Sequence, residues 1–113
     1  MNFKTTRLKK MIDWYAKVAG ADVNFRFPGD AWVANDRANH RIAFLAGPGL
    51  RDDAEKVAHN GLHHTAFECD SFDDLMSSYA RLKKLGIKPG VCFNHGLTTS
   101  LYCADPDGNM IEL

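Results

Sequence analysis

One carboxylate stands in the otherwise apolar stretch at the end of this chain. Glu112 lies in the run Met-Ile-Glu-Leu at residues 110–113, directly after Asp-Pro-Asp-Gly-Asn at residues 105–109. Proline pre-sets φ, and glycine and asparagine tolerate positive φ, so the second run predicts a tight turn between two strands. An ionised carboxylate is costly to bury without a partner. Glu112 is therefore better explained as a metal ligand than as a core residue.

A histidine on another predicted strand could share that metal. Residues 62–69 read as a strand, in which successive side chains point to opposite faces. If Phe67 faces the neighbouring helix, so does His63, while His64 points the other way, as Glu112 does in the last strand. A converging imidazole and carboxylate suit a divalent ion such as Fe, Mn, Zn or Ni. The alternative is that His64 is an ordinary strand histidine with satisfied hydrogen bonds.

These strands belong to a pattern that occurs twice. Residues 7–20 and 72–85 place apolar side chains at spacings of three and four, which predicts two amphipathic helices. We expect Thr5 or Thr6 to cap the first helix and Gly20 to end it, and Ser71 to cap the second. One predicted strand precedes each helix and three follow it. At an offset of 64 residues the two halves align Phe3 with Phe67, Leu8 with Phe72, Met11 with Leu75, Ile12 with Met76, Tyr15 with Tyr79 and Ala16 with Ala80.

The duplication predicts an α+β fold built from two βαβββ modules. Each module would form a curved four-stranded sheet with its helix outside, and the two sheets would pair around a cleft. We expect the first module at about residues 1–48, a polar linker at about 49–60 and the second module at about 61–113. At 113 residues the chain has the length of a single domain.

The composition excludes several classes of function. The formal net charge is zero, with 25% charged residues, so nothing indicates a nucleic acid or membrane partner. No apolar run reaches the roughly 18 residues of a transmembrane span. The start of the chain does not read as a signal peptide. Three widely spaced cysteines, Cys69, Cys92 and Cys103, favour reduced, buried thiols in a cytoplasmic protein.

Several segments of the chain combine into a familiar pattern. They are His-Thr-Ala-Phe-Glu-Cys-Asp at 64–70, the helix and its exit at 75–87, Asn-His-Gly at 94–96, Thr-Ser-Leu-Tyr at 99–102, the stretch 105–112, and 5–15 and 40–43 in the first half. Over essentially its whole length the chain resembles the vicinal oxygen chelate superfamily, which contains glyoxalase I, bleomycin-resistance proteins and extradiol ring-cleaving dioxygenases. It is most similar to the catechol extradiol dioxygenase-like branch.

The resemblance implies roles for four residues. His64 and Glu112 match the positions of two metal ligands in that superfamily. Tyr102, ten residues before Glu112, matches a tyrosine that contacts the substrate oxygen in dioxygenases, and His95 resembles a histidine just outside the metal's ligands. The implied site is a two-histidine, one-carboxylate face on Fe(II), with a catechol and O₂ in the remaining positions. Alternatively, Tyr102 is a core tyrosine with a bonded hydroxyl and His95 a plain loop histidine.

The sequence departs from this pattern at the third ligand. The offset places the counterpart of His64 one residue before Met1, and aligning Ile42 with Ile111 places Ala43 opposite Glu112. Dioxygenases also have a non-ligand at the latter position, whereas glyoxalase I has a carboxylate, which disfavours a glyoxalase I. His95, His40, water or a second chain could complete the metal shell.

Three hypotheses follow. The first is an Fe(II)-type extradiol dioxygenase-like enzyme, or a degenerate relative, that acts on a small aromatic or vicinally oxygenated compound; Mn, Zn or Ni are the other metals considered. The second is a metal-free protein that sequesters a small molecule, as bleomycin-resistance proteins do. The third is a chain whose open sheet edges are closed by a partner, with strand exchange. A homodimer is compatible with all three.

Overall fold

The computed structural model describes residues 1–113, which divide by their contacts into unit 1, Met1–Ala58, and unit 2, His59–Leu113. Each unit has the element order strand, helix, strand, strand, strand, as the repeat predicts. A short 3₁₀ turn at Lys56–Ala58 precedes the division between the units. The elements are β1 Asn2–Lys4, α1 Leu8–Ala19, β2 Asp22–Phe27, β3 Asp30–Ala34, β4 Ile42–Leu45, β5 His64–Ala66, α2 Phe72–Lys84, β6 Val91–Asn94, β7 Thr99–Ala104 and β8 Met110–Glu112.

Unit 1 is a four-stranded sheet of order β1-β4-β3-β2 packed against α1. β1 runs parallel to β4, and the other pairs are antiparallel. Burial of the apolar helix face is the main stabilising term here, and the ring of Tyr15 packs 5.1 Å from that of Phe44. Gly20 ends α1 at φ 63, as predicted. The predicted threonine cap is wrong: Arg7 is the cap residue, because the Thr5 hydroxyl accepts instead from the Arg7 amide, at 2.9 Å.

Unit 2 repeats this topology with sheet order β5-β8-β7-β6. Ser71 caps α2 as predicted, since its hydroxyl accepts from the Asp74 amide at 3.1 Å. The predicted buried face is only partly buried: Leu75 and Leu82 are buried, but Phe72 and Met76 are exposed. β5 is also much shorter than the predicted 62–69 strand, because only three of its residues pair with β8. Less of the sheet therefore lies under the start of α2.

The turn between β7 and β8 is held by one carboxylate. Asp105, which is buried, accepts the amides of Asp107 and Asn109 at 2.9 Å each and the Asn109 side-chain amide at 2.7 Å. Gly108 adopts φ 79, a conformation that L side chains rarely adopt. This network fixes the reversal of the chain and so sets the register in which β8 pairs with β7.

The strand registers relate the two units. Asn2 pairs with Ala43 in unit 1, and Ala66 pairs with Glu112 in unit 2. Asn2 and Ala66 are 64 residues apart, so the register places Ala43 at the position of Glu112. The sequence alignment made the same assignment.

The three cysteines are free, but they differ in burial. Cys103 is buried and Cys69 partly so, and burial raises the pKa of both thiols. Cys92 is exposed, so the prediction of three buried thiols is wrong for this residue. β6 lies at the edge of its sheet and is exposed along its whole length. Neither helix of the chain has the length and apolar character needed to cross a membrane.

Candidate functional site

His64 and Glu112 come together on neighbouring parallel strands. In the register of β5 and β8, Ala66 lies opposite Glu112, and His64 is two residues earlier on the same face. The imidazole Nε2 of His64 lies 2.8 Å from a carboxylate oxygen of Glu112. The side chains are 34% and 16% exposed, so the pair is accessible from solvent at the imidazole and largely covered at the carboxylate.

Tyr102 and His95 extend this pair along the sheet. Tyr102 lies directly opposite Glu112 in the register of β7 and β8, and its hydroxyl donates to the carboxylate. His95 follows β6, and its Nε2 lies 3.0 Å from the Tyr102 hydroxyl. The rings of His64 and Tyr102 are 5.7 Å apart and nearly perpendicular. The structure thus brings all four residues singled out in the sequence into one hydrogen-bonded cluster within unit 2.

Ser100 is a member of this cluster that the sequence reasoning missed. Its hydroxyl donates to Glu112, and the residue is only 3% exposed. Ser100 precedes Tyr102 by two residues in β7, so both side chains lie on the same face. That spacing is the signal that could have identified it.

The hydrogen bonds of the cluster shift the pKa values of Glu112 and Tyr102 in opposite directions. The hydrogen bond from Ser100 is the largest cause that holds the pKa of Glu112 below its ordinary value, and Tyr102, His64 and His95 add to it against partial burial. For Tyr102 the pKa is raised, first by burial and then by the nearby charge and hydrogen bond of Glu112. Near neutral pH this arrangement keeps an ionised carboxylate beside a protonated phenol.

His63 also belongs to the cluster, contrary to the alternation predicted from the sequence. Its ring lies against that of His64, with the two Nδ1 atoms 2.8 Å apart, rather than on the helix side. β5 begins only at His64, so the backbone at His63 is not part of the pleated strand and alternation does not govern its side chain.

The donor set fits a divalent metal in part. Two ligands that each lie ~2.1 Å from one ion at a right angle are ~3.0 Å apart, close to the His64–Glu112 separation. A neutral imidazole and a carboxylate are also ligands that Fe, Mn, Zn and Ni accept. No group of three His, Cys, Asp or Glu side chains in the chain could hold a metal ion. The residue types and separation of the pair therefore match two of the three protein positions of a facial triad.

A pocket of about 630 Å³ borders the cluster within unit 2. Glu112 and Ser100 are on its wall, whereas His64, Tyr102 and His95 are not. The volume lies in the range of small-molecule sites. Its remaining lining residues come from the end of β5 and the segment after it, the regions where α2 and β7 start, and the residue after β8; they are Ala66, Phe67, Glu68, Cys69, Ser71, Phe72, Leu75, Thr98, Thr99 and Leu113.

Comparisons with known proteins agree with this arrangement of elements. A profile described as the Glyoxalase/Bleomycin resistance protein/Dioxygenase superfamily matches residues 3–113. Biphenyl-2,3-diol 1,2-dioxygenases 2 and 3 of Rhodococcus globerulus are each 42% identical to the chain over 110 residues. The matches cover 97% of this chain but only 57% and 58% of those relatives, so the chain spans little more than half their length.

Solved structures share the fold at low identity. A lactoylglutathione lyase from Agrobacterium tumefaciens superposes with a TM-score of 0.75 at 18% identity, covering 99% of this chain and 87% of that one. A bleomycin resistance determinant encoded on a transposon gives a TM-score of 0.69 at 21% identity, covering 99% and 91%. At these identities the likeness concerns the fold alone.

Proposed function

The chain belongs to the glyoxalase/bleomycin resistance protein/dioxygenase superfamily, and on that premise we propose that it is a metal-dependent, extradiol dioxygenase-like oxidoreductase. Its substrate would be a small aromatic compound with vicinal hydroxyls, a catechol. The observation that carries the proposal is the 2.8 Å contact between His64 Nε2 and Glu112, with the Tyr102 hydroxyl bonded to the same carboxylate. The identity to two biphenyl-2,3-diol 1,2-dioxygenases supports the choice of substrate class.

His64 and Glu112 would hold the metal, with Fe(II) preferred over Mn, Zn or Ni. When bound, the ion would supply the activation of O₂ and of the catechol. A histidine, a water molecule or a second chain would complete its shell. Ser100 contributes by holding Glu112 ionised, since a carboxylate must be deprotonated to bind a metal.

Tyr102 and His95 would handle protons and orient the substrate. The Tyr102 hydroxyl keeps its proton because its pKa is raised. With Glu112 engaged by the metal, that proton could be donated to an oxygen of the substrate instead of to the carboxylate. His95 Nε2, at 3.0 Å from that hydroxyl, can exchange a proton with it. Tyr102 and His95 would thus provide a path for protons beside the two metal ligands, His64 and Glu112.

The test is ring cleavage by protein loaded anaerobically with Fe(II). With 2,3-dihydroxybiphenyl and O₂, the wild type is expected to form a ring-opened product, and His64→Ala and Glu112→Ala to form none. His59→Ala is the matched control, since His59 is an exposed histidine of unit 2 that lies outside the cluster. Folded, Fe(II)-loaded wild-type protein that cleaves no catechol would refute the enzymatic proposal.

A second candidate is metal-free sequestration of a small molecule. It is favoured by the lack of a three-ligand group together with the roughly 630 Å³ pocket beside Glu112. The expected result is saturable binding of 2,3-dihydroxybiphenyl to metal-free protein, unchanged in His64→Ala. Binding that requires the metal would exclude this alternative.

Two further properties accompany the proposal. A homodimer, with or without exchanged strands, would cover apolar side chains on the edge strands, such as Phe25 and Phe27 on β2, which are 55% and 59% exposed. Three free thiols are consistent with a reducing, cytoplasmic location.

A further inference from the structure

The contact between His63 and His64 joins two imidazoles through the same kind of atom. Their Nδ1 atoms lie 2.8 Å apart, and the ring centroids are 5.1 Å apart with nearly perpendicular planes. Two nitrogens approach this closely only when one proton lies between them, because two lone pairs would repel. One ring therefore donates and the other accepts.

The opposite nitrogen of His64 is the one that faces Glu112. Its Nε2 is 2.8 Å from the carboxylate, so one end of the ring is held by Glu112 and the other by His63. The side chain of His64 is 34% exposed, and the terminal torsion of histidine is broad and two-fold. Without a partner at Nδ1, packing would do little to keep Nε2 rather than Cε1 turned toward the carboxylate.

We propose that His63 is a positioning residue for His64, sharing a proton between the two Nδ1 atoms so that Nε2 of His64 stays directed at Glu112. The link to metal binding rests on the function proposed above, whereas the hydrogen bond itself does not. Ligating histidines commonly place their second ring nitrogen against such a partner.

The shared proton has a defined position in each state. In metal-free protein with both rings neutral, Nε2 of His64 donates to the Glu112 carboxylate, so Nδ1 of His64 accepts and His63 carries its proton on Nδ1. If Nε2 of His64 held a metal, the tautomers would be reversed: His64 would carry its proton on Nδ1 and donate it to Nδ1 of His63, and His63 would carry its own proton on Nε2, so the pair would hold two protons in either case.

The first test reads the tautomers by nitrogen-15 NMR of metal-free protein, at a pH where both rings are neutral by their carbon-13 shifts. We expect His63 in the Nδ1–H form and His64 in the Nε2–H form. Free histidine side chains favour Nε2–H, so the form of His63 is diagnostic. His63 predominantly in the Nε2–H form would overturn the proposal. This readout needs neither metal nor activity, so it decides the hydrogen bond even if the protein proves not to bind metal.

The second test measures the affinity for Zn(II) by competition with a chelator. His63→Phe keeps a planar ring but removes the nitrogen, and we expect it to weaken binding about 10- to 100-fold. His63→Asn restores an acceptor oxygen near the Nδ1 position and is expected to recover most of that loss, while His59→Phe, at an exposed histidine outside the cluster, leaves the affinity unchanged. Equal affinity of His63→Phe and wild type would overturn the positioning role. A wild type without Zn(II) affinity would refute the link to metal binding and the proposed function, leaving the tautomer result to stand alone.

Discussion

Replacing Ser100 by alanine tests the electrostatics of the cluster. The hydroxyl of this residue, 3% exposed, donates to Glu112, whose side chain is 16% exposed. A hydrogen bond to a charged group stabilises the folded protein by about 1.5–3 kcal/mol, and one between neutral groups by about 0.5–1.5 kcal/mol. We therefore expect Ser100→Ala to lower the free energy of unfolding by about 1.5–3 kcal/mol near neutral pH.

The pH dependence gives this prediction its sign. The pKa of Glu112 is lowered in the folded state, so its stabilising contribution is present above the unfolded pKa and is lost as the pH falls through the folded pKa. In acid, Ser100 faces a neutral carboxyl, and the effect of the substitution should shrink to about 0.5–1.5 kcal/mol. The difference between wild type and variant must therefore be larger at neutral than at acid pH.

Urea unfolding followed by far-ultraviolet circular dichroism is the assay. Tryptophan fluorescence is unsuitable, because Trp14 and Trp32 both lie in unit 1. Ser77→Ala is the control. Ser77 is exposed on α2, and alanine is the better helix former, so this substitution should not lower the free energy of unfolding. A loss for Ser100→Ala that is the same at both pH values would refute the reasoning, since Glu112 would then not be the charged acceptor.

The remaining predictions concern Tyr102, the turn at Gly108 and the assembly. Tyr102→Phe should retain the metal but lower the rate of ring cleavage by about 10²–10⁴-fold. The rate is measured at saturating catechol, and the metal content of the variant is the control. An unchanged turnover rate would contradict the role of Tyr102 in proton transfer. The pKa of Tyr102 is raised, so its contribution to stability is lost only as the pH rises through that pKa. The tyrosinate absorbance change above a pH of about 10 should be smaller in the same variant by the share of one of the three tyrosines. Gly108→Ala should destabilise the fold by about 1–2 kcal/mol in thermal unfolding, because φ is 79 at Gly108 and no atom crowds the added Cβ; a neutral effect would mean that the turn relaxes. Sedimentation should give the mass of two chains, and a mass of one chain would exclude the dimer.

The helices and the register were accessible from the sequence because they rest on local rules. Apolar spacing located both helices, Ser71 and Gly20 marked ends that the structure confirms, and the repeat placed Ala43 at the position of Glu112. Period-two alternation likewise predicted His64 and Glu112 on one face. These features depend on residues close in sequence or on symmetry between the halves.

The features that the sequence did not predict depend on where the strands end and on contacts between strands. His63 lies just before β5 begins, so the alternation of side chains along the strand does not extend to it. Phe72 and Met76 are exposed because burial of a helix face depends on how much sheet lies beneath it. Ser100 carries no motif of its own, and its role became visible only when β8 placed Glu112 beside it. The Thr5 hydroxyl bonds the Arg7 amide in a local turn instead of capping α1, and propensity alone does not choose between these two uses of a threonine.

Metal analysis of protein purified without a chelating tag tests the central claim most directly. We expect close to one Fe, Mn, Ni or Zn per chain in the wild type, and its loss in His64→Ala and in Glu112→Ala, each with a wild-type circular dichroism spectrum. The central claim would be contradicted by wild-type protein that is folded yet metal-free, both as purified and after anaerobic incubation with Fe(II), or by variants that retain as much metal as the wild type.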